Sequence, residues 1–101
     1  MLKRTLGKSK LEVSALGMGC WAIGGPWDWA DPGKERFPVG WGDTDDEESM
    51  RGLHAALDMG INFFDTANVY SDGTSEEIVG KLLKEFAPRE SVVLATKVHG
   101  R

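Results

Sequence analysis

Residues 57–67 read Leu-Asp-Met-Gly-Ile-Asn-Phe-Phe-Asp-Thr-Ala, and this stretch indicates how the chain folds. Gly60 follows an apolar periodic segment and is typical of the residue just beyond a helix C-terminus. Residues 61–65 are few and mostly apolar, as expected of a strand buried within a parallel sheet. A helix that leads through one glycine into a buried strand predicts an α/β fold.

The segment before Gly60 predicts a helix with a clear beginning. Residues 44–47 read Thr-Asp-Asp-Glu, which fits a capping box with Thr44 as the N-cap and Glu47 reaching back to it. The acidic residues also suit the positive end of the helix dipole. Apolar residues then recur at helical spacing, at Met50, Leu53 and Leu57.

The same unit repeats after residue 67. Residues 74–77 read Thr-Ser-Glu-Glu and predict a second capping box, with Thr74 as the N-cap. Residues 91–98 are rich in β-branched side chains and predict another strand. The apolar stripe of this second helix consists of Ile78, Val79, Leu82, Leu83 and Phe86.

The N-terminal part of the chain is richer in short elements and turns. Residues 2–6 and 11–16 alternate apolar with polar side chains and predict a β-hairpin with one solvated face. Residues 16–21 are apolar and glycine-rich, which predicts a buried strand, whereas 24–42 show no period and predict a long loop. The order hairpin, β, α, β, α, β favours a parallel sheet, in either a doubly wound fold or a (β/α)₈ barrel.

Composition excludes several classes of protein. The net charge is −4, and no cluster of basic residues is present that would neutralise nucleic-acid phosphates. The longest uncharged stretch, 13–27, is interrupted by glycines and shorter than the ~20 apolar residues of a membrane span. The one cysteine, Cys20, allows no internal disulfide and fits a cytoplasmic protein. The spacing of Cys20 and the two histidines predicts no metal site.

Three ionisable residues fall near the predicted strand ends. Asp65 ends one strand, Lys97 lies near the end of the next, and Tyr70 is in the loop after Asp65. Active sites of parallel α/β folds gather at the C-terminal ends of the strands. These residues therefore predict a proton-transfer site, in which Lys97 stabilises the Tyr70 phenolate and Asp65 pairs with Lys97. A structural ion pair beside a surface tyrosine explains the same spacing equally well.

A long motif around these residues resembles the aldo-keto reductase family. It comprises residues 60–67, Tyr70 and residues 75–80, which read Ser-Glu-Glu-Ile-Val-Gly. Residues 16–21, Leu-Gly-Met-Gly-Cys-Trp, and residues 95–98, Ala-Thr-Lys-Val, agree with the family in order and spacing. The resemblance extends from the N-terminal hairpin to Lys97.

The resemblance implies a (β/α)₈ TIM barrel, of which this chain holds the first three β/α units behind an N-terminal β-hairpin. Residues 1–101 would form the N-terminal part of a single domain, with residues 1–15 as the hairpin cap and 16–101 as a βαβαβ segment. The barrel is incomplete in this chain, because such a fold needs ~250 residues. We therefore expect the 101-residue chain by itself to be inactive, and marginally stable, aggregation-prone or oligomeric.

The resemblance also implies a reaction. Members of this family reduce aldehydes or ketones to alcohols by hydride transfer from NADPH, and NADH stays open as the cofactor. By matched position, Tyr70 would be the general acid, Lys97 would make it more acidic, and Asp65 would hold Lys97. The partner would be a small-molecule carbonyl substrate. The family's catalytic histidine lies beyond this chain, and His99 does not match its position.

Further positions match family residues that lie near the nicotinamide and its ribose: Gly19, Cys20, Trp21 and Asp65. A threonine or similar small residue is more usual where Cys20 stands, and contact there is partly through the backbone. Trp21 and the other tryptophans would line the substrate pocket, although anchoring of the long loop explains Trp27, Trp29 and Trp41 equally well. Two functional classes remain: the reductase, and a non-catalytic truncated relative or nucleotide-sensing regulatory subunit of the same fold.

Overall fold

The computed structural model describes residues 1–29, 33–40 and 42–98. At its centre lies a parallel sheet of three short strands: β3 is Met18–Gly19, β6 is Phe63–Asp65 and β7 is Val93–Ala95. They are paired in the order β3, β6, β7. The regular pairing covers less of the chain than the predicted strands at 16–21 and 91–98, but the expected α/β fold is confirmed.

Two helices connect the three strands and supply most of the core. Helix α1 is Asp46–Asp58 and helix α2 is Thr74–Phe86. Phe86, expected in the apolar stripe of α2, is 44% exposed instead, because it falls in the last residue of the helix. In the described part of the chain, neither helix is long and apolar enough to cross a membrane. The buried core consists of Cys20, Leu53, Ala56, Ile61, Phe64, Ile78, Val79, Leu82, Leu83 and Val92.

Both predicted capping boxes are wrong in detail. The N-cap of α1 is Asp45, whose carboxylate accepts hydrogen bonds from the backbone N–H groups of Glu47 and Glu48. Helix α2 already includes Thr74, and its N-cap is Gly73 in the left-handed conformation, with no side-chain cap. Thr74 has helical φ and ψ of −64° and −35°, so its hydroxyl is past the position from which a cap acts.

The end of α1 follows the prediction from the sequence. Met59 is the C-cap, and Gly60 has a φ of +96°. The backbone N–H of Gly60 donates to the carbonyl of Leu57. A left-handed glycine of this kind ends a helix without the steric cost that a side chain brings. Only three residues consequently lie between the C-cap and the start of β6.

An antiparallel hairpin precedes the sheet, formed by β1 (Lys3–Thr5) and β2 (Glu12–Ser14). Asn62, one residue before β6, binds this hairpin to the sheet through its side chain. The Asn62 side chain accepts from the backbone N–H of Ser14 and donates to the carbonyl of Glu12, at 2.6 and 3.1 Å. The hairpin therefore lies at the amino-terminal end of the parallel sheet, away from the strand ends that carry the ionisable residues.

The segment 24–42, predicted as a loop without regular structure, contains a second antiparallel hairpin. Strand β4 is Trp27–Trp29 and strand β5 is Phe37–Val39, with Trp27 opposite Val39 and Trp29 opposite Phe37. The prediction was wrong because prolines and glycines dominate the segment, while each strand is only three residues long. We call this element the aromatic hairpin.

Candidate active site

Asp65, Tyr70 and Lys97 meet at the carboxyl end of the parallel sheet. Asp65 is the last residue of β6, and Lys97 lies two residues after β7. The Lys97 ammonium donates to Asp65 Oδ1 at 2.9 Å and to the backbone carbonyl of Thr66 at 2.7 Å. The same nitrogen lies 5.0 Å from the centre of the Tyr70 ring. Asp65 and Tyr70, which are expected to act together with Lys97, therefore both lie next to its ammonium group.

The ion pair also fixes the charge of the lysine. Partial burial lowers the pKa of Lys97, but the hydrogen bond to Asp65 and the interactions with Tyr70 raise it more. The net pKa lies above the ordinary lysine value. Since an amine is charged below its pKa, Lys97 keeps a positive charge beside the phenol throughout the neutral range.

Tyr70 begins a short turn, Tyr70–Gly73, that leads into α2. Ser71 and Asp72 in this turn have φ values of +49° and +53°, a region that residues other than glycine seldom occupy. The buried hydroxyl of Ser71 donates to the carbonyl of Gly25. This bond holds the turn in its strained form, and strain of this kind is often found at functional sites.

Two buried hydroxyl groups connect the site to the core. Ser75 Oγ donates to the carbonyl of Cys20 at 2.7 Å, and Thr66 Oγ1 lies 2.8 Å from Ser75 Oγ. Because the Ser75 proton is used on Cys20, Thr66 must be the donor between the two hydroxyls. The backbone N–H of Cys20 in turn donates to the carbonyl of Asp65 at 2.9 Å. We call Asp65, Thr66, Lys97, Cys20 and Ser75 the strand-end cluster.

Sequence reasoning did not assign a role to Thr66 or Ser75. Ser75 is fully buried and Thr66 is 2% exposed, and a buried hydroxyl needs a partner. The available signal was a serine in the first turn of a helix, on the same face as Ile78, Val79 and Leu82. A polar residue on an apolar face indicates a buried hydrogen bond, although its partner cannot be identified without the fold.

The expected cofactor residues differ in what they expose. Gly19 lies opposite Asp65 in the sheet and is exposed, and a β-carbon at Gly19 would meet nothing within 4 Å. Trp21 is 39% exposed, and the Asp65 carboxylate is about half exposed. The open backbone at Gly19 and the flat ring of Trp21 fit a nicotinamide. The Asp65 carboxylate can accept hydrogen bonds from the hydroxyl groups of a ribose.

Cys20 faces the opposite way, into the core. Its side chain is fully buried, and burial raises the pKa of the thiol to about 11, assisted by the nearby Asp65 charge. Its backbone N–H and carbonyl both bond within the strand-end cluster. Cys20 therefore holds the shape of the site, and its thiol stays protonated and out of reach of solvent.

An open cavity of about 290 Å³ lies beside Tyr70. Trp27 and Trp29 pack edge to face with ring centres 6.0 Å apart, and the Trp27 and Tyr70 ring centres are 6.5 Å apart. The two tryptophans thus line a pocket and stabilise the loop at once, so the two roles considered above do not exclude each other. Trp41 and His99 lie outside the described residues. The cavity is lined by Trp21, Trp27, Trp29, Val39, Val69 and Tyr70.

Comparison with known proteins relates residues 15–101 to the Aldo/keto reductase family. The chain is 46% identical over 87 residues to the aldo-keto reductase YhdN of Bacillus subtilis, covering 86% of this chain and 22% of that protein. It is 40% identical over 96 residues to a Schizosaccharomyces pombe protein provisionally described as a voltage-gated potassium channel subunit beta, covering 94% of this chain and 24% of that protein.

Solved structures give the same relationship. An aldo-keto reductase from Bacillus halodurans in its holo form superposes with a TM-score of 0.74 at 38% identity, covering all of this chain and 27% of that chain. An aldo-keto reductase from Klebsiella pneumoniae in complex with NADPH gives 0.67 at 29% identity, covering 97% of this chain and 28% of that chain. The chain spans about a quarter of the length of these proteins.

Proposed function

The chain belongs to the aldo/keto reductase family. On that premise we propose that it forms part of the active site of an oxidoreductase that reduces aldehydes or ketones with NADPH. The observation that carries the proposal is the position of the Lys97 ammonium, 2.9 Å from Asp65 Oδ1 and 5.0 Å from the centre of the Tyr70 ring. A fixed cation beside a phenol stabilises the phenolate that is left when the phenol donates a proton to a carbonyl oxygen.

In the proposed mechanism Tyr70 is the general acid. As the carbonyl carbon is reduced, its oxygen gains negative charge, and the Tyr70 hydroxyl donates a proton to that oxygen. The phenolate that remains is stabilised by the positive charge of Lys97. Asp65 and the carbonyl of Thr66 hold the ammonium in place. The ion pair is therefore part of the chemistry as well as of the structure.

NADPH, when bound, would supply the hydride, and Gly19, Trp21 and Asp65 would hold its nicotinamide and ribose. Cys20, which the sequence places in the same set, would support these residues from the core, because its side chain is fully buried and both of its backbone polar groups are bonded within the protein. The open edge at Gly19 and the half-exposed Asp65 carboxylate support this assignment. The Klebsiella pneumoniae relative, whose structure contains NADPH, supports a nicotinamide cofactor. NADH is the alternative, because none of the residues that the structure describes is assigned to the 2′-phosphate.

We further propose that residues 1–101 belong to one (β/α)₈ domain and form its first three β/α units. Residues 1–15 would be the hairpin cap and residues 16–101 the βαβαβ segment. The remaining strands would supply the fourth catalytic residue and the rest of the substrate pocket. A cytoplasmic location is consistent with the free, buried thiol of Cys20.

A second candidate is a nucleotide-sensing regulatory subunit of the same fold. The similarity to the Schizosaccharomyces pombe channel-subunit relative favours it. Such a subunit would bind the cofactor through the same residues and would not need to turn it over at a useful rate. Cofactor binding alone therefore does not separate the two candidates, whereas carbonyl turnover does.

The test uses the whole natural protein that contains this chain and a matched Tyr70→Phe variant. NADPH consumption with a simple aldehyde is followed by absorbance, and NADPH binding by its fluorescence. We expect the substitution to lower turnover by about 10²- to 10⁴-fold, the usual contribution of a general acid, and to leave NADPH binding unchanged. Turnover that survives in Tyr70→Phe would refute the assignment of Tyr70. NADPH binding without turnover in the natural protein would support the regulatory subunit.

A further inference from the structure

The aromatic hairpin lies against the proposed general acid. The Trp27 and Tyr70 ring centres are 6.5 Å apart at an angle of 45°, and both rings line the same cavity. Trp29 and Val39 extend the wall of this cavity along the two strands of the hairpin. Any molecule that reaches the Tyr70 hydroxyl through this cavity must therefore pass over the hairpin.

The lining restricts which substrates can be held there. Of the six lining side chains, only Tyr70 carries an oxygen. Tryptophan donates hydrogen bonds but does not accept them, and valine does neither. A substrate with several hydroxyl groups would find no side-chain acceptor on this wall other than the phenol. A flat apolar ring, in contrast, matches indole faces and edges.

The volume of the cavity suits a small ring. At about 290 Å³ it lies near the lower end of the ~300–1,000 Å³ range of small-molecule pockets. Trp27 and Trp29 stand almost perpendicular, at 87°, so they offer a ring face and a ring edge to the same space. One ring that carries the carbonyl group fits this shape.

The hairpin is also fixed relative to Tyr70. The Ser71 hydroxyl donates to the carbonyl of Gly25 at the base of the hairpin. A β-carbon at Gly24 would lie 2.9 Å from the β-carbons of Ser71 and Thr74, so the two segments are in close contact. These contacts hold the hairpin in a fixed position relative to the turn that carries Tyr70.

We propose that the aromatic hairpin is the specificity-determining wall of the site, and that it selects carbonyl compounds with one flat apolar ring over small hydroxylated aldehydes. The inference rests on the proposed function, because it assumes that the carbonyl is reduced at Tyr70. Trp29 is the residue that tests it best, since it lines the cavity two register pairs along the hairpin from Trp27, and its replacement leaves the contact between Trp27 and Tyr70 in place.

The experiment compares kcat/KM for benzaldehyde and glyceraldehyde in the whole natural protein and in Trp29→Ala. We expect the preference for benzaldehyde to fall about tenfold, as is typical for a lost ring contact, with little change for glyceraldehyde. Trp29→Phe should restore most of the preference. Phe37→Ala is the matched control, because Phe37 lies opposite Trp29 but is exposed and outside the cavity lining.

Each result has a distinct meaning. An equal loss for both aldehydes, or no change for either, would overturn the specificity role. Binding of benzaldehyde without NADPH, measured by equilibrium dialysis, separates this inference from the proposed function. Suppose that the natural protein turns over neither aldehyde but binds benzaldehyde, and that Trp29→Ala weakens this binding. The aromatic hairpin is then a ring-binding wall as proposed, and the reductase proposal fails. If both aldehydes are turned over with no preference, the specificity role of the aromatic hairpin is contradicted and the reductase proposal is supported.

Discussion

The strand-end cluster and the aromatic hairpin meet at Tyr70 but are built in opposite ways. The cluster joins residues from Cys20 to Lys97 through hydrogen bonds across β3, β6, β7 and α2. The hairpin lies within 27–39 and is formed by local pairing and ring contacts. The residues that we propose to act on a proton are thus held by the whole fold, whereas those that we propose to contact the rest of a substrate are paired locally. A local element can change its side chains without disturbing the sheet.

The largest effect that separates the two regions should come from Lys97→Met. The substitution removes the cation beside Tyr70, so turnover should fall by about 10²- to 10⁴-fold, with the ratio between benzaldehyde and glyceraldehyde unchanged. Steady-state kinetics on both aldehydes measures this. Lys84→Met, on the exposed side of α2, is the control. A changed substrate ratio would mean that the two regions do not act separately.

Asp65→Asn sharpens the same comparison through pH. The hydrogen bond and charge of Asp65 raise the pKa of Lys97, so removal of that charge should lower it. The charged form of the lysine is lost as pH rises through its pKa. Activity of Asp65→Asn should therefore decline at a lower alkaline pH than activity of the natural protein. An unchanged alkaline limb would show that Lys97 does not control the rate.

Gly24→Ala tests the junction between the two regions. Gly24 has a φ of +100°, and the new methyl would lie 2.9 Å from side-chain carbons of Ser71 and Thr74. Gly40→Ala is the control, because Gly40 has a φ of +102° but only ordinary contacts of 3.7 Å or more. Both variants carry the backbone strain. We expect Gly24→Ala to lose a further 1–3 kcal/mol, roughly the cost of overpacking, in urea unfolding. Equal losses would mean that the junction adapts.

Ser75→Ala tests the buried part of the strand-end cluster. It deprives the Cys20 carbonyl of its hydroxyl donor and Thr66 of its acceptor, so the free energy of unfolding should fall by about 1–3 kcal/mol. Ser91→Ala removes an exposed hydroxyl bonded to the carbonyl of Pro88 at 2.7 Å, and should cost far less. The difference between the two urea midpoints is the measurement. Similar midpoints would show that burial adds nothing to this bond.

The smallest effect lies outside both regions, at the start of α1. Asp45→Ala removes the observed N-cap and should cost about 1 kcal/mol, whereas Thr44→Ala should cost close to nothing. Asp45→Asn should keep most of the stability, since asparagine also caps. Thermal unfolding of the three variants measures this. A larger loss of stability in Thr44→Ala than in Asp45→Ala would show that Thr44 is the N-cap, as the sequence predicts.

The sequence predicts the helices and the three-strand order well because their signals are repeated over many residues. The helix end at Gly60 is predictable because a positive φ is needed there, and glycine adopts that φ without steric cost whatever surrounds it. The predicted N-cap of α1 was wrong because Thr44 and Asp45 are both capable acceptors, and the extended φ and ψ of Asp45 decide between them. The predicted N-cap of α2 was wrong for a different reason: the helix starts at Thr74 itself, after a left-handed Gly73 that has no side-chain acceptor.

The candidate site divides in the same way. Asp65, Tyr70 and Lys97 were predictable from their places after strands, and the expectation that they lie together agrees with their distances. The pairing of Ser75 with Cys20 joins residues 55 positions apart, which no local pattern encodes. The aromatic hairpin was missed because three-residue strands rich in tryptophan and proline give no period to read.

The bonds between Asn62 and the N-terminal hairpin affect the order of events during synthesis. Ser14 and Asn62 are 48 positions apart, and ribosomes add roughly 5–20 residues per second. The finished hairpin must therefore wait about 2–10 s for its partner residue to be made. During this interval the N–H of Ser14 and the carbonyl of Glu12 are bonded to water or to other molecules. The first element to be synthesised therefore cannot dock until the chain has grown to Asn62, and the residues of its turn are open to chaperones and proteases before the sheet exists.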